Sequence, residues 1–299
     1  MSQESTKLGP PWTTIKILRW TQGYFEKHGI DNSRFEAELL LSHALDLERM
    51  MLYAYFERPL EKDELDNFRA MVKRRVANEP VAYITGSRGF WSIDLKTDHR
   101  ALIPRPDTET LVSGALDFLP EGEKKRVLDI GTGTGAVALA LAHDRPELEV
   151  AATDISPDAL SLARENADAL GLTERVSFFE GDLLGALEGD TAWGNGTIDV
   201  IVSNPPYVGT SEMDLMDESV KKYEPETALY AGEDGLDIIR RLVPQVYARL
   251  DDGGHFLCEI GFAQGKAVRE IFEEQGFADV KVLKDLGKND RVVLGCKRA

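Results

Sequence analysis

Four consecutive residues, Asn204-Pro205-Pro206-Tyr207, carry the most specific chemistry in this chain. They follow the apolar run Ile198–Ser203, whose length and composition predict a buried parallel strand. Two adjacent prolines donate no backbone N–H and fix φ, so the strand cannot continue through them. We therefore expect a rigid turn at the carboxyl end of a strand, where open α/β sheets bind ligands.

The groups in this tetrad suit a planar substrate that carries an NH2 group. The Asn204 side-chain oxygen and the Pro205 carbonyl can accept two N–H bonds, and the Tyr207 ring can stack on the plane. An amide or ring-amine nitrogen has a delocalised lone pair, so a reaction at that nitrogen requires that its N–H bonds be held and its lone pair tipped toward the electrophile. Positioning of this kind contributes on the order of 7–11 kcal/mol in favourable models. The candidate groups are adenine N6, guanine N2 in structured RNA and the glutamine side-chain amide.

A second motif, the glycine loop Gly131-Thr132-Gly133-Thr134-Gly135, follows an expected strand and opens an expected helix. Glycines let the backbone turn sharply and approach a ligand, and a helix N-terminus favours electronegative groups. Asp154 ends the next strand, about twenty residues on, where a ribose diol is held. These residues alone fit a dinucleotide site equally well, because Gly131, Gly133 and Ala136 match the G-x-G-x-x-G/A pattern.

Two further features favour a different cofactor. Gly181-Asp182 closes the third strand and supplies a polar group for an adenine amine, and the tetrad ends the fourth strand beside the loop. The set Gly131–Gly135, Asp154, Asp182 and Asn204 resembles the loop positions of class I S-adenosylmethionine-dependent methyltransferases. Those proteins end their sheet with an antiparallel strand, which agrees with a hairpin expected near Asp290.

The elements that position these motifs alternate between strand and helix from Arg126 onward. This alternation predicts an α/β fold with a doubly wound parallel sheet, and Val280–Leu283 and Arg291–Cys296 can pair as a closing antiparallel hairpin. Residues 13–78 are expected to be helical, with an apolar stripe that includes Phe35, Leu39 and Leu45.

Residues 80–104 differ in character from both flanking regions. Tyr83–Gly86 and Phe90–Leu95 alternate like short strands around a Gly-containing turn. We therefore predict a β-hairpin linker at 80–104, between an all-helical domain at 1–79 and a catalytic domain at 105–299.

Composition excludes several classes of protein. The 299 residues are 42% hydrophobic and 29% charged, which is typical of a globular chain of two domains. The sequence has no run of about 18 apolar residues, and its first eleven residues lack a signal-peptide pattern. Cys258 and Cys296 form no disulfide framework, and the five histidines show no metal-ligand spacing. We expect a cytoplasmic protein without metal or membrane association.

The net charge of −17 weighs against a nucleic-acid substrate. Phosphate backbones are bound through basic patches, and the densest basic cluster here is Lys73-Arg74-Arg75. That cluster lies at the end of an expected helix, where cations also suit the helix dipole. A nucleic-acid amino-methyltransferase acting on adenine N6 or guanine N2 remains the main alternative, and a non-catalytic binding module is a second one.

Over almost its full length the chain resembles the HemK/PrmC family of release-factor glutamine methyltransferases. The matching pieces keep the family's order along the chain. They are Pro80–Gly86, Phe90, Leu102–Glu109, the glycine loop, Asn204–Val208, Tyr223–Pro225, Ala228-Leu229, Gly232, Asp234–Leu236, Glu259–Gly261, Gln264 and Asp290-Arg291.

The resemblance implies a class I, Rossmann-like methyltransferase that methylates N5 of the glutamine in the Gly-Gly-Gln motif of class I peptide chain release factors. S-adenosylmethionine would be the methyl donor and S-adenosylhomocysteine the product. The helical domain and linker would engage the release factor, and the enzyme is expected to be a monomer without stably bound nucleic acid.

The resemblance also assigns roles to individual residues. The residues that would bind the cofactor are Gly131, Thr132, Gly133, Thr134, Gly135, Asp154, Asp182, Leu183 and Asn204. Those that would bind the glutamine amide are Asn204, Pro205, Pro206 and Tyr207. Leu183 stands where the family often has an aromatic residue beside the adenine, so we expect altered packing there. The loop 185–197 looks longer than the family norm, and the sequence assigns it no role.

Overall fold

The computed structural model describes residues 12–189 and 192–298. The chain divides into two units, one ending at Gly86 and the other beginning at Ser87. This division falls inside the segment 80–104 that the sequence predicts as a linker. In the described residues, no helix is both long and apolar enough to cross a membrane.

The first unit is built from helices. Those in its described part are α1 (Thr14–Lys27), α2 (Ser33–Leu45), α3 (Met51–Ala54), α4 (Lys62–Val76) and α5 (Val81–Thr85). The helix α4 begins at a cap in which the Glu61 backbone N–H donates to the Glu64 carboxylate at 2.8 Å. Its last turn carries Lys73, Arg74 and Arg75, which complement the helix dipole. Buried Phe25, Leu40 and Phe68 belong to the core of this unit. Of the predicted apolar stripe, Leu45 belongs to this core, whereas the expectation is wrong for Phe35, which is 46% exposed.

The expected strand at Tyr83–Gly86 is wrong, because this segment is the helix α5. Pro80 fits the position before the first turn, and its carbonyl accepts the Tyr83 and Ile84 N–H groups at 3.0 and 3.1 Å. Ala82, Tyr83 and Ile84 are all buried, so these residues do not alternate between a buried and an exposed face. The hairpin lies further along the chain, where β1 (Ser87–Phe90) pairs with β2 (Ile93–Lys96).

The second unit contains a seven-stranded sheet in the order β5-β4-β3-β6-β7-β9-β8. Its strands are β3 (Arg126–Ile130), β4 (Glu149–Asp154), β5 (Val176–Glu180), β6 (Ile198–Ser203), β7 (Leu250–Glu259), β8 (Ala278–Lys284) and β9 (Asp290–Cys296). The first five of these are parallel, and β9 runs antiparallel to both β7 and β8. This arrangement confirms the predicted doubly wound sheet with an antiparallel closing hairpin.

Helices accompany the strands along the chain. The longer ones are α6 (Glu109–Leu116), α7 (Ala136–Asp144), α8 (Pro157–Ala169), α11 (Asp237–Arg249) and α12 (Gly265–Gln275), and two short helices, α9 (Thr210–Met213) and α10 (Glu218–Tyr223), lie between β6 and α11. Successive residues of β3 belong to different apolar clusters, Val127 to one and Leu128 to the other. Since side chains alternate across a strand, the sheet has a buried core on each face.

The strand register brings the predicted motifs to one edge. Ile130 at the end of β3 pairs with Thr153 on one side and with Ser203 on the other. The Ser203 hydroxyl also donates to the Ile130 carbonyl at 2.8 Å. Cys258 pairs with Ser203, which places Glu259 at the level of Asn204. The carboxyl ends of four neighbouring strands therefore form a common platform for ligand-binding loops.

The loop before β6 is held by packing against its surroundings. Trp193 is buried in one of the sheet's two apolar clusters, and the Arg126 guanidinium lies 4.3 Å from its ring centroid. Arg249 donates to the backbone carbonyls of Trp193, Gly194 and Gly196. These contacts give the described part of loop 185–197 a structural role that its sequence did not indicate.

Candidate active site

A cavity of about 470 Å³ lies at the carboxyl edge of the sheet in the second unit. Its lining includes seven of the predicted site residues, namely Gly131, Gly133, Asp154, Asp182, Leu183, Pro205 and Pro206. A smaller recess of about 50 Å³ shares Gly131 and Gly133 with it and is lined by three more, Thr132, Thr134 and Asn204. The structure thus brings ten of the twelve predicted residues to two adjoining spaces, and Gly135 and Tyr207 line neither.

The glycine loop leaves its backbone open to this space. Gly131 and Gly133 have φ values of 73° and 57°, which L side chains rarely adopt. A Cβ at either position would meet no surrounding protein atom closer than 3.9 Å. The loop is anchored from behind, because the Thr153 carbonyl accepts the Gly131 and Thr132 N–H groups at 2.9 and 3.0 Å.

Asp129 supports the loop from the interior of the protein. Its Oδ2 accepts the Thr132 hydroxyl at 2.7 Å and the Ala138 N–H at 3.2 Å. Burial raises the pKa of this carboxyl to about 6, although both hydrogen bonds favour its charged form. Asp129 therefore joins the loop to the first turn of α7.

Gly135 has a packing role instead of a lining role. It precedes α7 with φ at 85°, and a Cβ there would lie 2.8 Å from Leu139 Cδ1 and 3.3 Å from Ala163 Cβ. A glycine is therefore required at this position for the close approach of α7 to α8.

The Asp154 carboxylate is oriented by the backbone on both sides of it. Its Oδ2 accepts the Gly133 N–H at 2.8 Å, and its Oδ1 accepts the Ser156 N–H at 2.9 Å. Burial raises the pKa of Asp154 above its ordinary value, and the backbone hydrogen bonds oppose that rise. Asp154 lines the cavity, and a carboxylate can accept several hydrogen bonds at once, which suits a vicinal diol.

The far side of the cavity combines an ion pair with apolar walls. Asp182 forms an ion pair with Arg241 of α11, and both side chains are about half exposed. Leu183 and Ile155 both line the cavity, and Leu183 has a φ of 54°. Arg241 was not predicted, because it follows Asp182 by 59 residues and has no motif of its own.

The tetrad contributes to both spaces. Pro205 and Pro206 line the cavity, and Asn204 lines the adjoining recess. The Asn204 Nδ2 donates to the Thr108 Oγ1 at 3.3 Å, which leaves Oδ1 as the free end of the amide. Thr108 was not singled out in the sequence, although it belongs to the segment Leu102–Glu109 that carries the family resemblance.

Tyr207 lines neither space and is partly exposed. Its carbonyl accepts the Gln264 Nε2–H at 2.9 Å. Burial, reinforced by the charge of Glu259, raises the pKa of Tyr207 to about 12. The Tyr207 backbone therefore anchors the end of the tetrad, and stacking of its ring on a substrate stays a prediction.

An ion pair ties two parts of the cavity wall together. The Glu224 side chain, which is almost fully buried, accepts the Arg105 Nη2–H at 2.6 Å and the Ile103 N–H at 3.2 Å. The residues next to this ion pair along the chain line the cavity. They are Leu102, just before Ile103, and Pro225–Ala228, just after Glu224. Arg105 and Glu224 both lie in segments that carry the family resemblance, but the sequence does not indicate that their side chains form an ion pair.

These residues have the chemistry that S-adenosylmethionine requires of its binding site. The open glycine loop, the Asp154 carboxylate and the apolar wall at Leu183 provide an amide-rich surface, a diol acceptor and a face for a planar base. The seven-stranded sheet and these strand-end groups define a class I methyltransferase. A solved methyltransferase from Pyrococcus furiosus, 20% identical, supports the fold with a TM-score of 0.50 over 78% of this chain and 100% of that one.

The relatives define the family. The PrmC N-terminal domain model matches residues 16–86, and the methyltransferase small domain model matches 109–223. The release factor glutamine methyltransferase of Geobacter sulfurreducens is 42% identical, covering 95% of this chain and 96% of its own. That of Rhodopirellula baltica is 39% identical with the same coverage. The chain belongs to the release factor glutamine methyltransferase family, which confirms the predicted family.

Proposed function

We propose that this protein transfers a methyl group from S-adenosylmethionine to the side-chain amide nitrogen, N5, of the glutamine in the Gly-Gly-Gln motif of class I release factors. The observation that carries the proposal is the orientation of Asn204. Because its Nδ2 is engaged by Thr108, its Oδ1 is left to accept an N–H bond beside Pro205 at the cavity wall. A primary amide has two N–H bonds to offer, and this corner of the site supplies two acceptors.

The methyl donor would occupy the larger cavity. Asp154 would accept the ribose hydroxyls, and the backbone of Gly131–Gly135 would lie along the cofactor. Asp182 and Leu183 would lie at the adenine, with Asp182 held by Arg241. When bound, S-adenosylmethionine supplies an electrophilic methyl group on a sulfonium, which becomes a neutral thioether as the methyl group leaves.

The protein's contribution to the reaction is positional. Asn204 Oδ1 and the Pro205 carbonyl would each hold an N–H of the glutamine amide, which turns the nitrogen lone pair toward the methyl group. The new C–N bond would form as the methyl–sulfur bond breaks, and the nitrogen would then release one proton to solvent. Pro205 and Pro206 keep the acceptors fixed, since their φ angles are locked by the ring.

The helical unit would bind the release factor. Its described part exposes several large apolar side chains, which are typical of a protein-binding surface: Trp20, Phe35, Met50, Tyr55 and Phe56. We further propose that the enzyme acts in the cytoplasm, where translation terminates. We also propose that the protein acts as a monomer.

The proposal is tested by incubating the protein and methyl-labelled S-adenosylmethionine with a purified class I release factor. A release factor whose Gly-Gly-Gln glutamine is replaced by alanine is the control, and total ribosomal RNA and DNA serve as rival acceptors. We expect label on the natural release factor alone. Equal label on the alanine control, or preferential label on nucleic acid, would overturn the substrate assignment.

A further inference from the structure

The larger cavity has an aromatic side chain in its wall that the sequence did not single out. Among the described residues that line this cavity, Tyr230 is the one that carries an aromatic ring. Tyr230 is 42% exposed, although both of its neighbours in the chain, Leu229 and Ala231, are buried. A large ring that lies open beside a ligand cavity, between two buried residues, is a candidate for contact with a ligand.

The backbone on both sides of Tyr230 is fixed by the segment that leaves the tetrad. Tyr230 lies opposite Val208 in an isolated parallel bridge. The Val208 N–H donates to the Leu229 carbonyl at 2.9 Å, and the Ala231 N–H donates to the Val208 carbonyl at 3.0 Å. Because Leu229 and Ala231 turn their side chains into the protein, the Tyr230 ring is held on the open side of this bridge.

The far end of the Tyr230 side chain is also held. Its hydroxyl lies 3.2 Å from the Thr210 Oγ1, and either group can be the donor. Thr210 begins α9, and its N–H donates to the Gly232 carbonyl at 3.2 Å. A ring that is already held at both ends loses little further conformational freedom when a ligand packs against its face.

Tyr230 lies at the end of the cavity that the tetrad forms. Its bridge partner Val208 is two residues beyond Pro206, which lines the same cavity. The proposed adenine end, at Asp182 and Leu183, follows β5, which is three strand spacings from β6 in the sheet. At about 4.8 Å per spacing, this separation is about 14 Å. The backbone of Tyr230 therefore lies on the side of the cavity where the methyl acceptor would bind.

A Gly-Gly-Gln segment has suitable chemistry for contact with this ring. If its glutamine amide reaches Asn204 and Pro205, its main chain must pass the mouth of the cavity beside the tetrad. Glycine has no side chain, so a peptide plane at either glycine can lie flat against an aromatic face. A side chain at the same position would hold the backbone away from the ring.

We propose that Tyr230 is a substrate-binding residue whose ring contacts the glycine backbone of the Gly-Gly-Gln segment and selects against larger residues there. The inference rests on the proposed function, because the segment in question belongs to the release factor. It adds an aromatic contact to the one predicted for Tyr207, which lines neither space.

Substitution of Tyr230 tests the contact. Tyr230→Leu keeps an apolar side chain and removes the ring, whereas Tyr230→Phe keeps the ring and removes the hydroxyl. We expect Tyr230→Leu to raise KM for the release factor roughly 5-fold to 30-fold while kcat changes less than about threefold, and Tyr230→Phe to restore KM to within about threefold of wild type. The Kd for S-adenosylhomocysteine, measured by calorimetry, should stay within about twofold of wild type for both. An unchanged KM for Tyr230→Leu, or a raised cofactor Kd in its place, would overturn the inference.

Ile155→Ala is the matched control from the other end of the cavity. Ile155 lines the same cavity and is 63% exposed, but it follows Asp154 at the end of β4. We expect this variant to show the opposite pattern, with a raised Kd for S-adenosylhomocysteine and little change in KM for the release factor. An equal rise in KM for both variants would show that loss of any apolar wall is sufficient, and it would overturn the role of Tyr230.

A double-mutant cycle between enzyme and acceptor tests the selection for glycine. Release factors with alanine in place of one glycine of Gly-Gly-Gln are compared with the natural one, using wild-type enzyme and Tyr230→Ala. We expect alanine at one of the two positions or at both to lower kcat/KM by about 10-fold or more with the wild type, and by less than about threefold with Tyr230→Ala. Equal losses with both enzymes at both positions would overturn the inference. Absence of methylation of the natural release factor by the wild type would instead overturn the proposed function. Thermal unfolding of each variant excludes loss of fold as the cause.

Discussion

The most direct perturbation of the cofactor site is Asp154→Ala. The carboxylate accepts the Gly133 and Ser156 N–H groups and lines the cavity, where it can also accept hydrogen bonds from a ribose diol. Each hydrogen bond to a charged group contributes about 1.5–3 kcal/mol, so loss of two should weaken binding by about 3–6 kcal/mol, less the cost of burying the charge. We therefore expect the Kd for S-adenosylmethionine to rise by roughly 100-fold to 1000-fold.

Calorimetric titration with S-adenosylmethionine and with S-adenosylhomocysteine measures this change. Asp158→Ala is the matched control, because Asp158 is exposed in the first turn of α8, and its loss changes the net charge equally. The control should bind within about twofold of wild type, since a surface charge near a helix start contributes little. An unchanged Kd for Asp154→Ala, with the fold intact by circular dichroism, would remove Asp154 from the site.

Two further predictions concern the support of the glycine loop. Burial raises the pKa of Asp129 to about 6, so its protonated form stabilises the folded chain, and this stabilisation is lost as the pH rises through about 6. The free energy of unfolding of Asp129→Asn, measured with urea, should therefore rise relative to that of wild type by on the order of 2–3 kcal/mol between about pH 4 and pH 7. A difference between the two free energies that does not change with pH would contradict the assignment. Gly135→Ala should destabilise more than Gly122→Ala, because both have φ near 80° but only Gly135 also meets Leu139 and Ala163; equal melting temperatures would refute the packing argument.

Much of the sheet and its ligand-binding edge could be predicted from the sequence. Apolar runs of strand length, each followed by glycine, aspartate or Asn-Pro-Pro, mark the ends of β3, β4, β5 and β6. Parallel strands share one carboxyl edge, so the order of motifs along the chain already implied their proximity. The same argument places Glu259, the carboxylate that ends the apolar strand β7, at this edge of the sheet.

The remaining features depend on contacts between distant positions. Arg241 reaches Asp182 across 59 residues, and Glu224 reaches Arg105 across 119. No local periodicity encodes such pairs, because side-chain direction is set only after the helices pack. The direction of the Tyr207 side chain could not be predicted either, because an aromatic ring after two prolines can lie on either side of the backbone. Tyr83–Gly86 was misassigned because four alternating residues are too few to distinguish strand from helix.

The Asn204-Pro205-Pro206-Tyr207 turn is proposed to hold the side-chain amide of a release-factor glutamine. Peptide mass spectrometry of the reacted release factor tests this role, with the wild-type enzyme and with Asn204→Ala run in parallel. We expect a single methyl group on the side-chain nitrogen of the Gly-Gly-Gln glutamine with the wild type. We expect none with Asn204→Ala, although that variant still binds S-adenosylmethionine. A methyl group on another residue, or modification by Asn204→Ala at the wild-type rate, would contradict it.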